Sequence, residues 1–220
     1  RFLMSYKTQV EDIIGSVGDD DLITQSLLNA GAKIIDATPR DKLNSSASST
    51  SITSSGLDVS DKKVIEVFSS NQRARLVSNA IYSISNNVTS IYQAGSDDPA
   101  YVYKGEKIFV TVGGTDTNGT CIYVHKIPTA DGSTAITHAS SSVTNLPLEA
   151  ESIMVLGASI LCLQRLISDR LAKLKTFVQT DEDSELAQTE MLEVQAHQSL
   201  LASLKAEYDQ AFQIYIGTTN

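Results

Sequence analysis

Two long helical patterns dominate the spacing of hydrophobic and polar residues in this chain. The first carries large apolar residues at alternating spacings of three and four, which places them on one face of a helix. The second has apolar residues every seven positions, with further seam positions between them. The first series is Ile153, Leu156, Ile160, Leu163, Ile167, Leu174 and Phe177, interrupted by Arg170; the second is Val194, Leu201, Tyr208 and Tyr215, with His197, Leu204 and Ala211 between them.

A short acidic stretch, residues 180–185, separates the two patterns. Thr180 is a predicted helix N-cap and Asp183 its partner three residues later, while the acidic side chains favour the positive end of the second helix dipole. So short a connection between two one-faced helices predicts an antiparallel helical hairpin.

The residue pattern of the N-terminal region predicts two shorter helices. One runs from Ser5 to Ile14 and ends at Gly15, and the aspartates at 19–21 can cap the next. That second helix must end near Ala37, because Pro39 disfavours helical backbone in the residue before it.

The middle of the chain changes character twice. Residues 44–60 are mostly Ser and Thr, which predicts a linker or a loop ordered by its neighbours. From Lys62 to Pro128 the period becomes two and β-branched residues accumulate, which predicts short antiparallel strands. The predicted strands are 64–68, 81–84, 100–103, 107–112 and 121–127, with a hairpin turn at 104–106 and a turn-rich connection at 113–120.

Together these patterns predict an α+β fold: a long antiparallel helical hairpin with N-terminal helices and a small antiparallel β-domain. The predicted boundaries are 1–43 for N-terminal helices packed on the hairpin, 44–60 for the linker, 61–146 for the β-domain, 147–216 for the hairpin and 217–220 for a tail.

The composition of the chain argues against several classes of function. The net charge of -9 argues against nucleic-acid backbone as the main partner, since phosphate binding relies on Lys and Arg. The longest nearly uncharged helical stretch, residues 152–164, is shorter than the roughly 20 residues that span a bilayer, so no membrane partner is expected. Residues 1–4 are too short for a signal peptide, which predicts a soluble protein made in a reducing cytoplasm. Cys121 and Cys162 have no ligand-like spacing and are predicted to be buried thiols.

No motif for catalysis, cofactor binding or metal binding emerges. The glycines at 113–114 lack the Lys-Ser/Thr pair of a phosphate-binding loop, and no helical pattern interleaves the strands as a dinucleotide site requires. His125, His138 and His197 have no shared metal-ligand spacing. A catalytic triad assembled from distant residues stays open.

The hairpin and the C-terminus indicate assembly. About 100 Å of total helix length is long beside so small a sheet region, and residual apolar surface would remain for other subunits. Met154 is predicted to face outward and bind a neighbouring copy. Phe212, Ile214, Tyr215 and Ile216 place apolar side chains on several sides of the last turns, and their alternation also allows a strand added to a partner's sheet. Packing of this end on its own hairpin is the alternative.

The order of elements resembles the head-to-tail adaptor proteins of tailed bacteriophages, particularly those of marine and cyanobacterial phages. The resemblance rests on the helix ending at Pro39, the phrases Ser90-Ile91-Tyr92 and Asp97-Asp98-Pro99-Ala100-Tyr101-Val102-Tyr103, and the helix entered through Leu146-Pro147-Leu148-Glu149 with Val155-Leu156-Gly157-Ala158. It implies a non-enzymatic virion protein, synthesised in the host cytoplasm, that forms a ring, commonly of twelve copies. Such a ring sits under the portal, extends the DNA channel without specific DNA binding and presents a platform to the tail or nozzle protein. The Ser/Thr-rich insert departs from a simple adaptor.

Three interpretations therefore stay open. The first is the ring component of a virion neck. The second is another virion structural protein, such as a tail-tube, tail-completion or capsid-associated subunit. The third is a cytoplasmic enzyme or binding module with a site assembled from scattered residues.

Overall fold

A computed structural model describes residues 4–87, 89–180 and 184–217 of the chain. It confirms the α+β fold class, with about half of the chain in helices and a fifth in strands. The helices are α1 Tyr6–Ile14, α2 Asp20–Ala37, α3 Arg40–Leu43, α4 Asn79–Ser85, α5 Leu148–Thr180 and α6 Ser184–Gly217, with a 3₁₀ turn at Asn44–Ser46. The strands are β1 Ser48–Ile52, β2 Leu57–Asp58, β3 Lys62–Ser69, β4 Gln72–Arg73, β5 Arg75–Leu76, β6 Ala100–Lys104, β7 Lys107–Val112, β8 Thr115–Thr117 and β9 Gly119–His125.

Two compact units make up the molecule, and their limits differ from the predicted domains. The helical unit comprises Arg1–Thr38 and Ile127–Asn220, and the β-unit comprises Pro39–Lys126. Residues 127–146 therefore belong with the helices, although we predicted them in the β-domain. Hydrogen bonds to the N-terminal helices explain why: the Tyr6 amide donates to the Ser140 carbonyl and the Lys7 amide to the His138 carbonyl, both at 2.8 Å, and the His138 amide donates to the Thr24 hydroxyl at 3.0 Å.

The helical unit is built around α5, against which α1, α2 and α6 all pack. The N-terminal helices begin as predicted: Ser5 caps α1, and Asp19 caps α2 by accepting a hydrogen bond from the Leu22 amide at 2.9 Å. The Tyr6 hydroxyl donates to Glu151 at 2.7 Å and so joins α1 to α5. Burial and this carboxylate raise the pKa of Tyr6.

The prediction of a single apolar face is wrong for the first half of α5. Every residue from Ile153 to Ile160 is buried, because α1 and α2 cover the sides that α6 leaves open. Packing is tight at Gly31 of α2, where an added Cβ would lie 2.0 Å from Pro128 Cγ and 3.0 Å from Met154 Sδ. Only glycine fits at this position without movement of its neighbours.

The α6 seam follows the predicted seven-residue pattern. Val194, Leu204, Tyr208 and Tyr215 are buried, and Leu201 and His197 are half-buried. The predicted capping pair lies partly outside the described residues, since Asp183 is not among them; α5 itself extends through Thr180. From Leu148 to Thr176, α5 is long and apolar enough to cross a bilayer, contrary to the length estimate from sequence, but 67% of that apolar window is buried inside the protein.

Two mostly antiparallel sheets form the β-unit. One has the order β1-β9-β3-β4, and the other has the order β2-β7-β6-β5 with β8 on β7. A core of Ile52, Val64, Val67, Tyr101, Ile108, Val110 and Cys121, among others, packs together within this unit. The predicted turn at 104–106 is confirmed, with Gly105 at φ 63° between β6 and β7.

Several local predictions in the β-unit are wrong. A helix does lie between two strands: α4 separates β5 and β6, which pair in parallel, although we expected no helix among the strands. The segment 44–60 contains a strand, β1, whose five residues all pair with β9 while Ile52 enters the core. Residues 81–84 form helix α4 rather than a strand, because the Ser78 side chain caps it by accepting from the Ile81 amide at 3.3 Å. The connection at 113–120 also includes the short strand β8.

Candidate assembly surfaces

The outer half of the hairpin is held together mainly by its own two helices. No residue of α5 from 168 to 176 is buried, and none of α6 from 185 to 193. Arg170 of α5 joins the helices by ion pairs to Glu190, at 2.9 Å, and to Glu193 of α6. This half-buried group replaces an apolar seam residue, so the apolar pattern is broken where the two helices are most exposed.

Among the residues of this outer half whose side chains the structure describes, four large apolar ones are exposed. They are Leu171, Leu186, Met191 and Leu192, which lie on more than one side of the hairpin and which we together call the distal hairpin surface; Leu192 is 67% exposed. Leu192 shares a helix face with Gln188, Gln195 and Ser199, away from the buried seam. These leucines and methionine do not serve the core of the subunit, so they are candidates for contact with another chain.

The predicted contact at Met154 is wrong. Its side chain is fully buried, near Gly31 of α2, because α2 covers the face of α5 that the sequence pattern left outward. A charge at this position would therefore perturb the fold of the subunit before any interface.

The C-terminal residues are helical as far as Gly217 in the single chain. The added strand on the sheet of a partner stays a prediction. Tyr215 is buried against its own unit, where the Thr38 hydroxyl donates to it at 3.3 Å. Phe212 stacks on Tyr208 with ring centroids 5.5 Å apart, and Ile216 is half-buried. Ile214 is 57% exposed. Of the predicted partner-binding residues, Ile214 is the one that presents most of its surface.

A groove of about 440 Å³ lies between α1, α5 and α6. Ile13, Ile153, Leu156 and Ala211 give it an apolar floor, and Asp12 and Glu207 give it an acidic rim.

The β-unit carries a second group of exposed apolar side chains. Its exposed large apolar side chains, within the described residues, all fall between positions 76 and 92: Leu76, Ile81, Ile84, Ile91 and Tyr92, which we call the Leu76–Tyr92 surface. Ile91 is 91% exposed. The surrounding sequence, residues 76–96, contains no Asp, Glu, Lys or Arg. The absence of charge in residues 76–96 can be read from the sequence. The exposure of Ile81 and Ile84 was not predicted, because we interpreted residues 81–84 as a strand.

One polar cluster of the β-unit could resemble a catalytic arrangement. The Tyr82 hydroxyl donates to Asp116 at 2.5 Å, Asn86 donates to the same oxygen at 3.4 Å, and the Lys104 ammonium lies 4.4 Å from the centre of the Tyr82 ring. Burial and Asp116 raise the pKa of Tyr82, so this phenol holds its proton rather than releasing it. The cluster fixes α4 to its sheet.

The sequence-selected histidines do not converge within the described residues. His125 contacts Asp61 at 3.1 Å, His138 contacts Asp20 at 3.4 Å, and His197 lies in the hairpin seam. No group of three or more His, Cys, Asp or Glu in the described part of the chain could hold a metal ion. Cys121 and Cys162 are buried free thiols, as predicted, and burial raises the pKa of Cys121 to about 11.

Charge is divided unequally between the units. The helical unit has 8 basic and 18 acidic residues, a net charge of -10, whereas the β-unit has 9 basic and 8 acidic residues, a net charge of +1. The negative charge of the chain is therefore a property of the helices.

No protein-family model matches this chain, and no curated protein is significantly similar to it.

Proposed function

We propose that this chain is a structural subunit of a phage neck, whose copies form a ring that joins the portal to the tail and extends the DNA channel. The observation that carries the proposal is the distal hairpin surface. Two helices that leave Leu171, Leu186, Met191 and Leu192 exposed gain stability when another chain covers these side chains.

Side-by-side packing is the simplest way to cover such a surface. A hairpin has two flanks, and a neighbouring copy can use one flank to cover the other in a head-to-tail contact. Repetition of that contact closes a ring when the rotation between copies divides a full turn. The resemblance to head-to-tail adaptors, drawn from the order of elements, supports the same arrangement.

The charge distribution suits a DNA channel lined by the helical unit. A wall of net charge -10 per copy repels phosphate, so DNA can slide without being gripped. The nearly neutral β-unit offers the Leu76–Tyr92 surface to a different partner, the portal or the tail protein. An uncharged apolar surface of this kind binds by exclusion of water rather than by ion pairs.

The ring is tested by one charge at the distal hairpin surface. Leu192→Glu should abolish rings in negative-stain images and reduce the mass measured by light scattering, because an unpaired charge at an apolar contact is costly. Gln210→Glu is the matched control: it adds the same charge to an exposed position on α6, about 27 Å along the helix. Rings of unchanged number in the Leu192→Glu sample would refute the hairpin contact.

The partner surface is tested separately. Ile91→Asp should leave the ring intact but prevent its incorporation into particles, because the change lies in the β-unit and adds charge to the apolar surface. Ser96→Asp, at the exposed end of the same uncharged run, is its control. If both variants enter particles equally, this surface is not the partner contact.

A further inference from the structure

The β-unit has an open sheet edge at β1. This strand pairs with β9 on one side only, through all five residues from Ser48 to Ile52. In an antiparallel ladder, alternate residues direct their N–H and C=O groups away from the neighbouring strand. Among the described residues, none forms a backbone hydrogen bond with the outer side of β1. These groups form a ready template for another strand.

The other edge strands of the described β-unit are protected, and β1 is not. β2, β4 and β5 have two residues each and β8 has three, and each contains a charged residue: Asp58, Arg73, Arg75 and Asp116, respectively. Short length and charge are the means by which proteins discourage edge pairing. β1 is longer, and the chain carries no charge from Leu43 to Leu57.

We propose that β1 binds β1 of a second copy of this chain, antiparallel and centred on Thr50, so that two β-units share one continuous sheet. In this register Ser49 faces Ser51 of the other copy, Ser48 faces its Ile52, and the two Thr50 residues face each other. No pair brings two charges together, and hydroxyl pairs of this kind are favourable across strands. This register allows main-chain hydrogen bonds between the two copies whether the outward N–H and C=O groups belong to Ser49 and Ser51 or to Ser48, Thr50 and Ile52.

The charge of the β-unit also favours a second copy as the occupant. Copies of a chain with net charge -9 repel each other, but the β-unit alone carries +1 and the β1 region carries none. The two β1 strands therefore meet with no like charges on the strands themselves. This contact is two-fold, lies in the β-unit and does not depend on the ring contact proposed for the hairpin.

Two pairs of substitutions test the register in the full-length chain. Ser49 and Ser51 are both exposed, so neither change burdens the core. Ser49→Lys with Ser51→Lys places like charges opposite each other twice across the contact. Ser49→Lys with Ser51→Glu uses the same positions but places opposite charges together. The first pair should raise the dissociation constant of the dimer roughly tenfold or more relative to the second.

Both pairs are made in the wild-type chain and in the Leu192→Glu chain, and their masses are measured by sedimentation velocity over a concentration series. In the Leu192→Glu chain we expect twice the 23.7 kDa chain mass with the Lys/Glu pair and the single-chain mass with the Lys/Lys pair. Equal masses for the two pairs, or a Leu192→Glu chain that is monomeric without changes in β1, would overturn the proposal. Failure of the hairpin ring would appear differently, as wild-type protein without rings, and would leave the dimer measurement readable.

Discussion

The close approach of α2 to Pro128 predicts a strong effect from the smallest possible substitution, Gly31→Ala. An added Cβ would lie 2.0 Å from Pro128 Cγ and 3.0 Å from Met154 Sδ, both shorter than a normal contact between these atoms. The Met154 side chain can rotate, but the proline ring is fixed to its own backbone. The new methyl group must therefore displace either α2 or the segment that contains Pro128.

Two opposing contributions determine how much Gly31→Ala changes the free energy of unfolding. Overpacking of a filled core costs about 1–3 kcal/mol. Alanine is favoured over glycine within a helix by about 1 kcal/mol, which offsets part of this cost. Because a contact at 2.0 Å is a severe overlap, the overpacking cost should lie in the upper part of its range. The net loss of stability for Gly31→Ala should therefore be about 1–2 kcal/mol.

A double-mutant cycle separates the clash from the helix preference. In the Pro128→Ala background the ring is absent, and Gly31→Ala should become neutral or stabilise by up to about 1 kcal/mol. Urea unfolding followed by circular dichroism at 222 nm reports mainly on the long helices of this unit. If the two effects add to within about 0.5 kcal/mol, the proposed contact between positions 31 and 128 is refuted.

Three further predictions concern stability and reactivity. Leu163→Ala removes a fully buried side chain of α5 and should lower the free energy of unfolding in urea by about 2–5 kcal/mol. Lys173→Ala, at an exposed position of the same helix, should change it by less than about 0.5 kcal/mol. Equal effects would contradict the placement of Leu163 in the buried face of α5. The thiols of Cys121 and Cys162 are buried, so a thiol reagent at pH 8 should label native protein slowly and unfolded protein rapidly; rapid native labelling would contradict their placement. Hydrogen bonds from the backbone and side chains of two neighbouring residues hold the pKa of Asp131 far below its usual value. The stability that this carboxylate contributes is therefore complete above about pH 5 and is lost progressively as the pH falls below that. Melting temperatures at pH 6 and pH 3 should therefore differ less for Asp131→Asn than for the wild type, and an unchanged difference would contradict this role.

The sequence predicted burial correctly where a helix packs mainly against one other helix. The α6 seam was predictable because α6 packs mainly against one helix, α5, so the spacing of Val194, Tyr208 and Tyr215 follows that contact. The first half of α5 has three partners, and no spacing reveals which helix covers Met154. Its burial follows from the packing of α2, which is separated from it by more than a hundred residues.

The β-unit was misread where main-chain bonding outweighed composition. β1 has few apolar side chains, but its pairing with β9 satisfies the backbone and Ile52 alone anchors it to the core. Ile81 and Ile84 fit a helix face as well as part of a strand, and the cap at Ser78 decides between them. The exposed surfaces were less predictable still, because exposure of Leu192 or Ile91 depends on where neighbouring elements end.

The unequal charge of the two units has a consequence for the conditions of assembly. In the proposed ring, each added copy would bring a helical unit with a net charge of -10, and a cloud of cations would gather around these units. Added salt shortens the range of this repulsion, to about 8 Å at physiological ionic strength. Rings should therefore form more readily as ionic strength rises, the reverse of the salt dependence of a protein that holds nucleic acid through its phosphates.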